Sequence, residues 1–457
     1  MKRSACKPAA WVCLVFLLAV VACQAPAPRL GYETDPALAQ VVAQPAPPYP
    51  PASWVVFSDP HWFDPDLVDE GPAFEAYLAS DRKMLRESPE LLDAMVRALT
   101  KVPADFVLIP GDLTKDGEAS SHAGVVAVLR GVEATGKKVY VVPGNHDVLS
   151  AVAVGYRGGE TYPVPSITPA EFADLYADFG YAEAIARDPS SLSYVAEPVP
   201  GLWLLALDTC RYLENQPGSD PLTAGRLSAA TLSWAEAMLA RAVQESKAVI
   251  AMAHHGLMEH FRGQTQDFGA YVVEDYARVS RLLGQYNVRL AFTGHYHAQD
   301  ITLARWGEYK FLFDVQTGSL VTYPMPYRHV QIAEDQTAIL RALYIASIAS
   351  MPQGLVEYAR ETTRDGIVGI AADIIQGYRV GAEEAGSLAE QIGEAYLAHY
   401  AGDESLPVGQ EKIRTSGLSL PAWLVVMYRK GLVESLWEDL PPPDNDLVID
   451  LRTGDWK

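Results

Sequence analysis

The chain has 457 residues, carries a formal net charge of −21 and is 49% apolar. This length is enough for a large core, and 20% charged and 10% aromatic residues are typical of a globular chain rather than a disordered one. The acidity and the lack of a Lys/Arg-rich run argue against a general nucleic-acid binder and against docking onto anionic lipid through charge.

Residues 1–22 are predicted to be a signal peptide that is not part of the fold. A basic start is followed by an apolar run at 11–22 that is too short to persist as a membrane-spanning helix. The run ends in Val-Val-Ala22-Cys23, which resembles a bacterial lipoprotein signal, in which the cysteine is lipidated and becomes the new N-terminus. An ordinary secretory signal cut near Ala22 is the alternative. In both cases we expect export, and with lipidation we expect anchoring to the bacterial cell envelope through Cys23 only.

Residues 23–52 are rich in proline and alanine and are predicted to form a tether. Cleavage before Cys23 would remove three basic residues and no acidic ones, which takes the net charge from −21 to −24. Cys210 would then be the only unmodified cysteine, so no internal disulfide is expected.

Five apolar segments, each predicted to be a buried strand, end at Asp, Asn or His residues. The segments are 54–57, 106–109, 139–142, 249–253 and 290–292, and the residues that follow them are Asp59, His61, Asp112, Asn145, His146, Asp147, His254, His255, His295 and His297. Each residue alone has an ordinary explanation as a turn, a cap or a core histidine. Their recurrence at five strand ends has no such ordinary explanation, because six of the ten histidines of the chain lie there.

Predicted helices lie between these strands. Ser88-Pro89 opens one amphipathic segment, a capping box at 168–171 opens another, and two more cover 228–239 and 276–286. Alternating strands and helices indicate α/β layers, in which sites gather at the carboxyl ends of the strands. We therefore expect the polar side chains to meet at a single edge of one sheet.

The residue types at the strand ends suit metal ions. Imidazole and carboxylate groups are ligands for Fe, Mn or Zn, and thiolates are absent. His295 and His297 are two apart on a segment expected to be extended, so both side chains would point to the same side, and Asp59 and His61 share this spacing. A carboxylate such as Asp112 can bridge two cations about 3.5–4 Å apart, an arrangement that binds both oxygens of an in-line phosphoryl displacement.

The ordered motifs Asp-x-His, Gly-Asp, Gly-Asn-His-Asp, His-His-Gly and Gly-His-x-His resemble those of the calcineurin-like metallophosphoesterase family, from about Trp54 to about His329. For residues 53–345 the resemblance implies a four-layer α/β/β/α sandwich and a hydrolase acting on phosphoric ester bonds. It also implies two transition-metal ions. The first would be held by Asp59, His61 and His297, the second by Asn145, His254 and His295, and Asp112 would bridge them.

The same resemblance implies a mechanism. A hydroxide shared by the two metals would attack phosphorus, and His146 would protonate the leaving oxygen as the general acid. Asp147 would hold the His146 imidazole in the right tautomer and orientation. His254 or His255 could be the ligand of the second metal. We favour His254, because it directly follows the strand and adjacent strand residues face opposite sides.

At three places the sequence differs from the motifs of particular branches of this family. Lys115 stands where purple acid phosphatases have a tyrosine ligand, so no tyrosinate–iron chromophore is expected. The run 115–118 lacks the arginine of the protein Ser/Thr phosphatases, which argues against phosphoprotein specificity. Asp147 stands where 5′-nucleotidases have Glu.

Other polar residues have structural explanations as well as functional ones. Arg328 could bind phosphate, although a structural ion pair is favoured, and Asp208 could line the cleft or cap a turn. Glu118 and His122, four apart at a helix start, could contact each other as a solvated pair.

Residues 346–457 are predicted to be a mainly helical region that packs on the core or covers the cleft, with an extended segment at 441–446. The sequence as a whole predicts an exported dinuclear phosphoesterase for a small anionic phosphomonoester or phosphodiester, such as a nucleotide, a cyclic nucleotide or a lipid headgroup. The rival hypotheses are a metal-dependent binding or scaffold lipoprotein without turnover and, less favoured, a nuclease.

Overall fold

A computed structural model describes residues 29–69 and 71–457. The predicted signal peptide and the predicted lipidation at Cys23 lie outside the described residues. The helices are α1 Pro36–Val42, α2 Pro72–Ala79, α3 Ser88–Leu99, α4 Ala119–Glu133, α5 Pro169–Leu175, α6 Ala229–Gln244, α7 Gln264–Asp267, α8 Tyr276–Gln285, α9 Leu355–Gly377, α10 Ala382–Ala401 and α11 Leu420–Ser435.

The strands are interspersed with these helices along the chain. They are β1 Ala52–Val56, β2 Phe106–Ile109, β3 Lys138–Val141, β4 Val154–Arg157, β5 Glu160–Pro163, β6 Ala186–Arg187, β7 Tyr194–Val199, β8 Leu202–Leu207, β9 Ala248–Ala253, β10 Leu290–Thr293, β11 Asp300–Arg305, β12 Phe311–Gln316, β13 Pro326–Ile332, β14 Thr337–Tyr344 and β15 Asp446–Asp450.

Two sheets form the centre of the molecule. The first has the order β15-β14-β13-β1-β2-β3, and β1, β2 and β3 are parallel. The second has the order β11-β12-β10-β9-β8-β7-β6, and its four central strands β12, β10, β9 and β8 are parallel. The expectation that one sheet would carry all five site-bearing strands is wrong: β1, β2 and β3 lie in the first sheet, whereas β9 and β10 lie in the second. Apolar periodicity identifies strands, but it does not say which strands pair.

The sheets pack face to face, and helices cover their outer faces. Trp54 of β1 meets Phe292 of β10 edge-on across the interface, with ring centroids 5.6 Å apart. On the second sheet, outward-facing residues such as Leu205 form a separate core with residues of α6 and α8. Residues of α3 and α4 join the core of the first sheet. The predicted α/β/β/α sandwich is confirmed.

Helix starts follow the capping signals read from the sequence. At α5 the Thr168 hydroxyl accepts the Glu171 N–H at 3.3 Å, and the Glu171 carboxylate accepts the Thr168 N–H at 2.8 Å. At α6 the Ser228 hydroxyl accepts the Thr231 N–H at 3.0 Å. These bonds satisfy N–H groups that have no partner within the helix, so both predicted starts are confirmed.

The predicted tether is wrong for residues 29–52. This segment forms α1 and packs on the second sheet, burying Leu30, Val41, Val42 and Tyr49. The Tyr49 hydroxyl donates to the Val249 carbonyl at 2.8 Å. The composition of the segment is rich in proline and alanine, but the apolar side chains spaced among them pack on the sheet. Their burial stabilises the ordered segment, and composition alone did not reveal it.

The C-terminal region is mainly helical, as predicted, and its helices α9, α10 and α11 share an apolar core with Phe261 and Tyr296 of the sandwich. The chain then returns to the first sheet as β15, which pairs antiparallel with β14 through registers such as Leu340 with Leu447. The three helices are therefore an insertion between two strands of the sheet. In the described part of the chain, no helix has the length and apolar character needed to cross a bilayer.

Candidate metal centre

Three predicted ligands come together at the carboxyl ends of β1 and β10. Asp59 and His61 follow β1, and His297 follows β10. One possible ligand atom of each lies within 4.8 Å of the other two, and all three residues are buried. The Nε2 atoms of His61 and His297 are 3.2 Å apart, and Asp59 Oδ1 lies 3.6 Å from His297 Nε2.

A second group forms beside the first from Asp112, His254 and His295, again within 4.8 Å of one another. The Asn145 side chain joins it, since its Oδ1 lies 3.1 Å from His254 Nε2. Asp112 Oδ2 lies 3.4 Å from His254 Nε2 and 3.6 Å from His61 Nε2, so this carboxylate faces both groups. The structure thus brings all seven predicted ligands together, and their role as ligands stays a prediction.

Five of these residues have left-handed backbone conformations, which side-chain-bearing residues rarely adopt. The φ angle is 50° at Asp59, 39° at His61, 47° at Asp112, 72° at His295 and 69° at His297. The expectation of an extended segment at both pairs is therefore wrong, because the chain turns tightly as soon as each strand ends. Such backbone costs about 1–3 kcal/mol per residue and tends to cluster at functional sites.

Glycines of the motifs allow the strand ends to approach closely. A Cβ on Gly144 would lie 2.0 Å from Asp112 Oδ1, and a Cβ on Gly294 would lie 2.0 Å from Ser58 Oγ and 2.5 Å from Asp59 Oδ2. Any side chain at either position would displace a predicted ligand. The glycines beside the ligands therefore determine the spacing of the site.

The chemistry of the two groups fits metal ions. Burial lowers the pKa of His61, His295 and His297 well below the ordinary value, so these imidazoles are neutral and present lone pairs. Burial also raises the pKa of Asp59 to about 7, although His254 opposes this effect. Burial opposes protonation of His254, but Asp112 raises its pKa to about 9, so this ring is the one imidazole of the two groups that carries positive charge beside the two buried carboxylates. Bound cations would take over that role and free the His254 lone pair. Nitrogen and oxygen donors without thiolate suit Fe, Mn or Zn.

The structure separates the two neighbouring histidines that follow β9. His254 faces Asp112, whereas the His255 ring is held by the Thr209 hydroxyl at 2.7 Å and the Thr223 carbonyl at 2.8 Å. Burial lowers the pKa of His255 to about 3. His255 therefore packs behind the site, which favours His254 as the candidate ligand.

His146 stands beside the first group with its ring partly exposed, and its partner is Asp116. Nδ1 of His146 lies 2.8 Å from Asp116 Oδ1. Burial opposes protonation of His146, but the carboxylates of Asp112 and Asp116 outweigh it and raise its pKa. The prediction that Asp147 orients this ring is wrong, because that carboxylate turns into the loop and accepts backbone N–H groups of Gly144 and Leu113 at 2.8 and 3.0 Å. Asp147 thus shapes the loop that presents Asn145 and His146.

Asp116 is held in its ionised form by Lys115. Burial would raise the pKa of Asp116, but the adjacent Lys115 ammonium lowers it to about 2. Lys115 itself is buried and contacts the Asp116 carboxylate, with its Nζ 4.6 Å from the centroid of the Tyr77 ring. The sequence showed residues 115–118 only as a departure from related motifs. The contact between positions 116 and 146 left no local signal in the sequence.

The profile of the calcineurin-like phosphoesterase family matches residues 54–299, which is more than half of the chain. The chain belongs to the calcineurin-like phosphoesterase family. The family consists of hydrolases acting on phosphoric esters, and two metal ions are implied for this phosphoesterase.

Solved structures are also similar to this phosphoesterase. A dimetal phosphatase from Danio rerio is 15% identical with a TM-score of 0.46, covering 65% of this chain and 97% of the other. A purple acid phosphatase from yellow lupin (Lupinus luteus) seeds is 13% identical with a TM-score of 0.41, covering 66% of this chain and 52% of the other. Among curated proteins, no sequence matches this chain significantly.

A cleft of about 720 Å³ opens over the two groups of the phosphoesterase. Besides five of the predicted ligands, His146 and Lys115, the cleft is lined by two further cationic residues, Arg82 and Lys83. They lie between α2 and α3, and both were missed in the sequence. The only sequence signal for a phosphate-binding role was that these two basic residues are adjacent in a chain with 57 acidic and 36 basic residues.

The other residues that the sequence offered as possible functional groups form hydrogen bonds within the fold of the phosphoesterase instead. The guanidinium of Arg328 is buried and donates to the carbonyls of Gln316 and Asp444, so it does not face the cleft. The Asp208 carboxylate accepts the Leu192 N–H at 3.0 Å and the Tyr212 hydroxyl at 2.7 Å. The suggested contact of Glu118 with His122 is wrong for their side chains, because the His122 ring bonds instead to the Tyr176 hydroxyl and the Asp147 carbonyl, each at 2.8 Å.

Proposed function

We propose that this chain is a two-metal phosphoesterase that hydrolyses a small anionic phosphomonoester or phosphodiester, with His146 as the general acid. One observation carries the proposal: the Asp112 carboxylate lies between two buried groups of ligand-type side chains, and His146 stands beside them. A single metal-binding or structural site would not require the second group or the partly exposed imidazole.

The proposed metal ligands are Asp59, His61 and His297 for the first ion and Asn145, His254 and His295 for the second, with Asp112 shared. Fe, Mn or Zn would suit these donors. When bound, the ions would supply an activated water nucleophile and charge stabilisation at the phosphoryl oxygens.

The residues of the chain have separate tasks in this proposal. His146, whose pKa is lowered by burial but raised on balance by Asp112 and Asp116, would donate a proton to the leaving oxygen from Nε2. Asp116 would hold Nδ1 and so fix the ring, while Asp147 holds the loop on which His146 sits. Arg82 and Lys83 would offset the negative charge of the chain for an anionic substrate.

The distribution of charge in the molecule favours a small substrate over a nucleic acid. Arg82, Lys83 and Lys115 supply positive charge inside the cleft, whereas the chain as a whole has a net charge of −21. A nucleic acid would need an extended basic surface around the site. An anion small enough to sit in the cleft would not.

We also propose that the enzyme is exported and anchored to the bacterial cell envelope through a lipid on Cys23. The basic start, the apolar run 11–22 and the cysteine after Ala22 support this. Metabolic labelling with an alkyne fatty acid should mark the wild-type protein and not Cys23→Ser. Equal labelling of both proteins, or of neither, would contradict the anchor.

The catalytic proposal is tested with an aryl phosphate and its bis-aryl ester, assayed with Mn²⁺ and after chelation. We expect at least one ester to be cleaved, about two metal ions per chain by elemental analysis, and loss of both properties in Asp112→Asn. His146→Asn should keep the metal and lower kcat about 100-fold or more. The exposed Asp174→Asn is the control. If neither ester is cleaved with Mn²⁺, or with Fe or Zn in its place, the proposed reaction fails and the alternative of a metal-dependent binding protein is favoured.

A further inference from the structure

An apolar cavity of about 400 Å³ lies beside the metal cleft, between the sandwich and the C-terminal helices. Its walls are mainly aliphatic side chains of α9, α10 and α11, such as Ile367, Leu388 and Val426. A core between packed helices is normally filled to high density. An open cavity of this kind is typical of a site for an apolar ligand.

The cavity adjoins the cleft. Three residues line both spaces, namely Arg82, Tyr271 and Ile370. The Tyr271 ring packs on the candidate ligand His295, with centroids 4.6 Å apart, and its edge borders the cavity. A ligand whose phosphate occupies the cleft therefore meets the cavity directly beyond this ring.

The junction between the two spaces is polar on one side and apolar on the other. The Arg82 guanidinium donates from Nε to the Tyr400 hydroxyl at 3.0 Å, which holds it at this boundary. Ile370 and Ile374 of α9, and Tyr378 directly after this helix, line the cavity and are still 39%, 58% and 50% exposed, so its mouth is open to solvent. An amphiphile, with an anionic head and an aliphatic tail, matches this arrangement.

We propose that the cavity binds the aliphatic tail of the substrate, which makes the substrate a lipid phosphoester with one hydrocarbon chain beside its phosphate. This inference rests on the proposed function for the position of the phosphate. Burying each methylene of the tail favours binding, and a purely polar leaving group would leave the aliphatic walls without a contact. Arg82 would bind the phosphate at the point where the tail begins.

The test uses alkylphosphonates of four, six and ten carbons, which cannot be hydrolysed, below their aggregation limits. Binding to the metal-loaded full chain is measured by calorimetry, and inhibition is measured against the aryl ester. From four to ten carbons we expect affinity to rise about 30-fold or more, which is less than the transfer of six fully buried methylenes would produce.

Two variants test whether the alkyl chain lies in the cavity. Ile374→Asn alters the open mouth, and Ala371→Phe fills the cavity; each should reduce the gain from chain length to about 5-fold or less, with binding of the four-carbon compound unchanged. Val356→Asn is the matched control, because Val356 lies on the same helix, is 43% exposed and does not line the cavity. Because Ile374 is largely exposed, its variant should fold even if Ala371→Phe does not.

Each contrary outcome has a distinct meaning. Affinity that does not depend on chain length, or a dependence that both variants retain, overturns the tail site. A dimer in sedimentation equilibrium that Ile374→Asn dissociates, without chain-length dependence, shows instead that the cavity is covered by a second copy. If no aryl ester is cleaved but the phosphonates still show the expected binding, the proposed reaction fails and the tail site stands.

Discussion

At the scale of single residues, the sequence predicted which side chains would gather but not how they are oriented. The seven candidate ligands could be chosen because Asp, Asn and His recurred at strand ends. The partner of His146 could not, because Asp116 is distant along the chain and reaches the ring only through a turn. Asp147 was an attractive choice because it is adjacent. Its carboxylate instead accepts hydrogen bonds from buried backbone N–H groups of Gly144, Leu113 and Thr114.

Asp116→Asn should lower catalysis most for substrates with poor leaving groups. Without the carboxylate, Nδ1 of His146 loses its partner and the ring loses one of the two carboxylates that raise its pKa, the other being Asp112, so less protonated acid is present. We expect kcat to fall about 100-fold for an alkyl ester and by less than 10-fold for a nitrophenyl ester, which needs little protonation. Metal content should not change. Equal losses for both esters would contradict a role through the general acid, and Asp69→Asn is the surface control.

At the scale of secondary structure elements, the strand ends determine the site. Each candidate ligand follows a strand directly, and two motif glycines allow neighbouring loops to touch. The sequence identified these strands because each is a short apolar run with a polar end. It did not identify β15, because a five-residue edge strand after a proline-rich segment has too few residues for a clear pattern.

Gly294→Ala should disrupt the metal centre. Its Cβ would lie 2.0 Å from Ser58 Oγ and 2.5 Å from Asp59 Oδ2, so the loop after β1 would have to move. We expect a loss of about 1–3 kcal/mol in the free energy of unfolding and a metal affinity reduced about 10-fold or more. Gly131→Ala in α4 meets no atom within 4 Å and should be neutral or slightly stabilising. Unchanged metal affinity in Gly294→Ala would show that the contact is not required.

A cluster of buried acids where β11, α10 and β15 meet should make stability depend on pH. Burial, with Glu404 and Asp300 nearby, raises the pKa of Asp439 to about 7, and burial raises the pKa of Asp444 and Glu404 as well. The native state therefore holds protons that the unfolded chain has lost above pH 4. Stability must then fall as pH rises from about 4 to 7 and level off above the folded pKa.

We expect urea unfolding to show a more stable protein at pH 5 than at pH 8. His399, which contacts Glu404, is the histidine that faces the cluster. Asp439→Asn should reduce this difference by raising stability at pH 8, because the variant carries no charge there. The exposed Asp373→Asn on α9 should leave the difference as it is in the wild type. Equal pH dependence in the wild type and Asp439→Asn would rule out this source.

At the scale of the whole molecule, the candidate metal centre joins two sheets. Asp59, His61, Asp112 and Asn145 come from the first sheet, and His254, His295 and His297 come from the second. The sequence predicted the layers and the helical C-terminal region. It could not show that the ligands are divided between two sheets, because pairing depends on contacts between residues far apart in the chain.

Metal removal should therefore destabilise the entire sandwich. An ion present at 1,000 times its dissociation constant stabilises the native state by about 4 kcal/mol. We expect calorimetry to show a Tm lower by about 5 °C or more in chelator than in excess Mn²⁺. Asp59→Asn, which lacks one ligand, should show a smaller shift. A Tm that does not respond to metal would mean that the two sheets are held together without it.

The pairing of β15 with β14 also bears on synthesis. The edge of the first sheet is completed by residues 446–450, so no ribosome-bound intermediate has its full complement of strands until nearly the whole chain has emerged. A chain released within the helical insertion would leave β14 with an open row of N–H and C=O groups, which invites pairing with other chains. Under the proposed export, delaying this last step until after translocation would keep the polypeptide unfolded while it crosses the membrane.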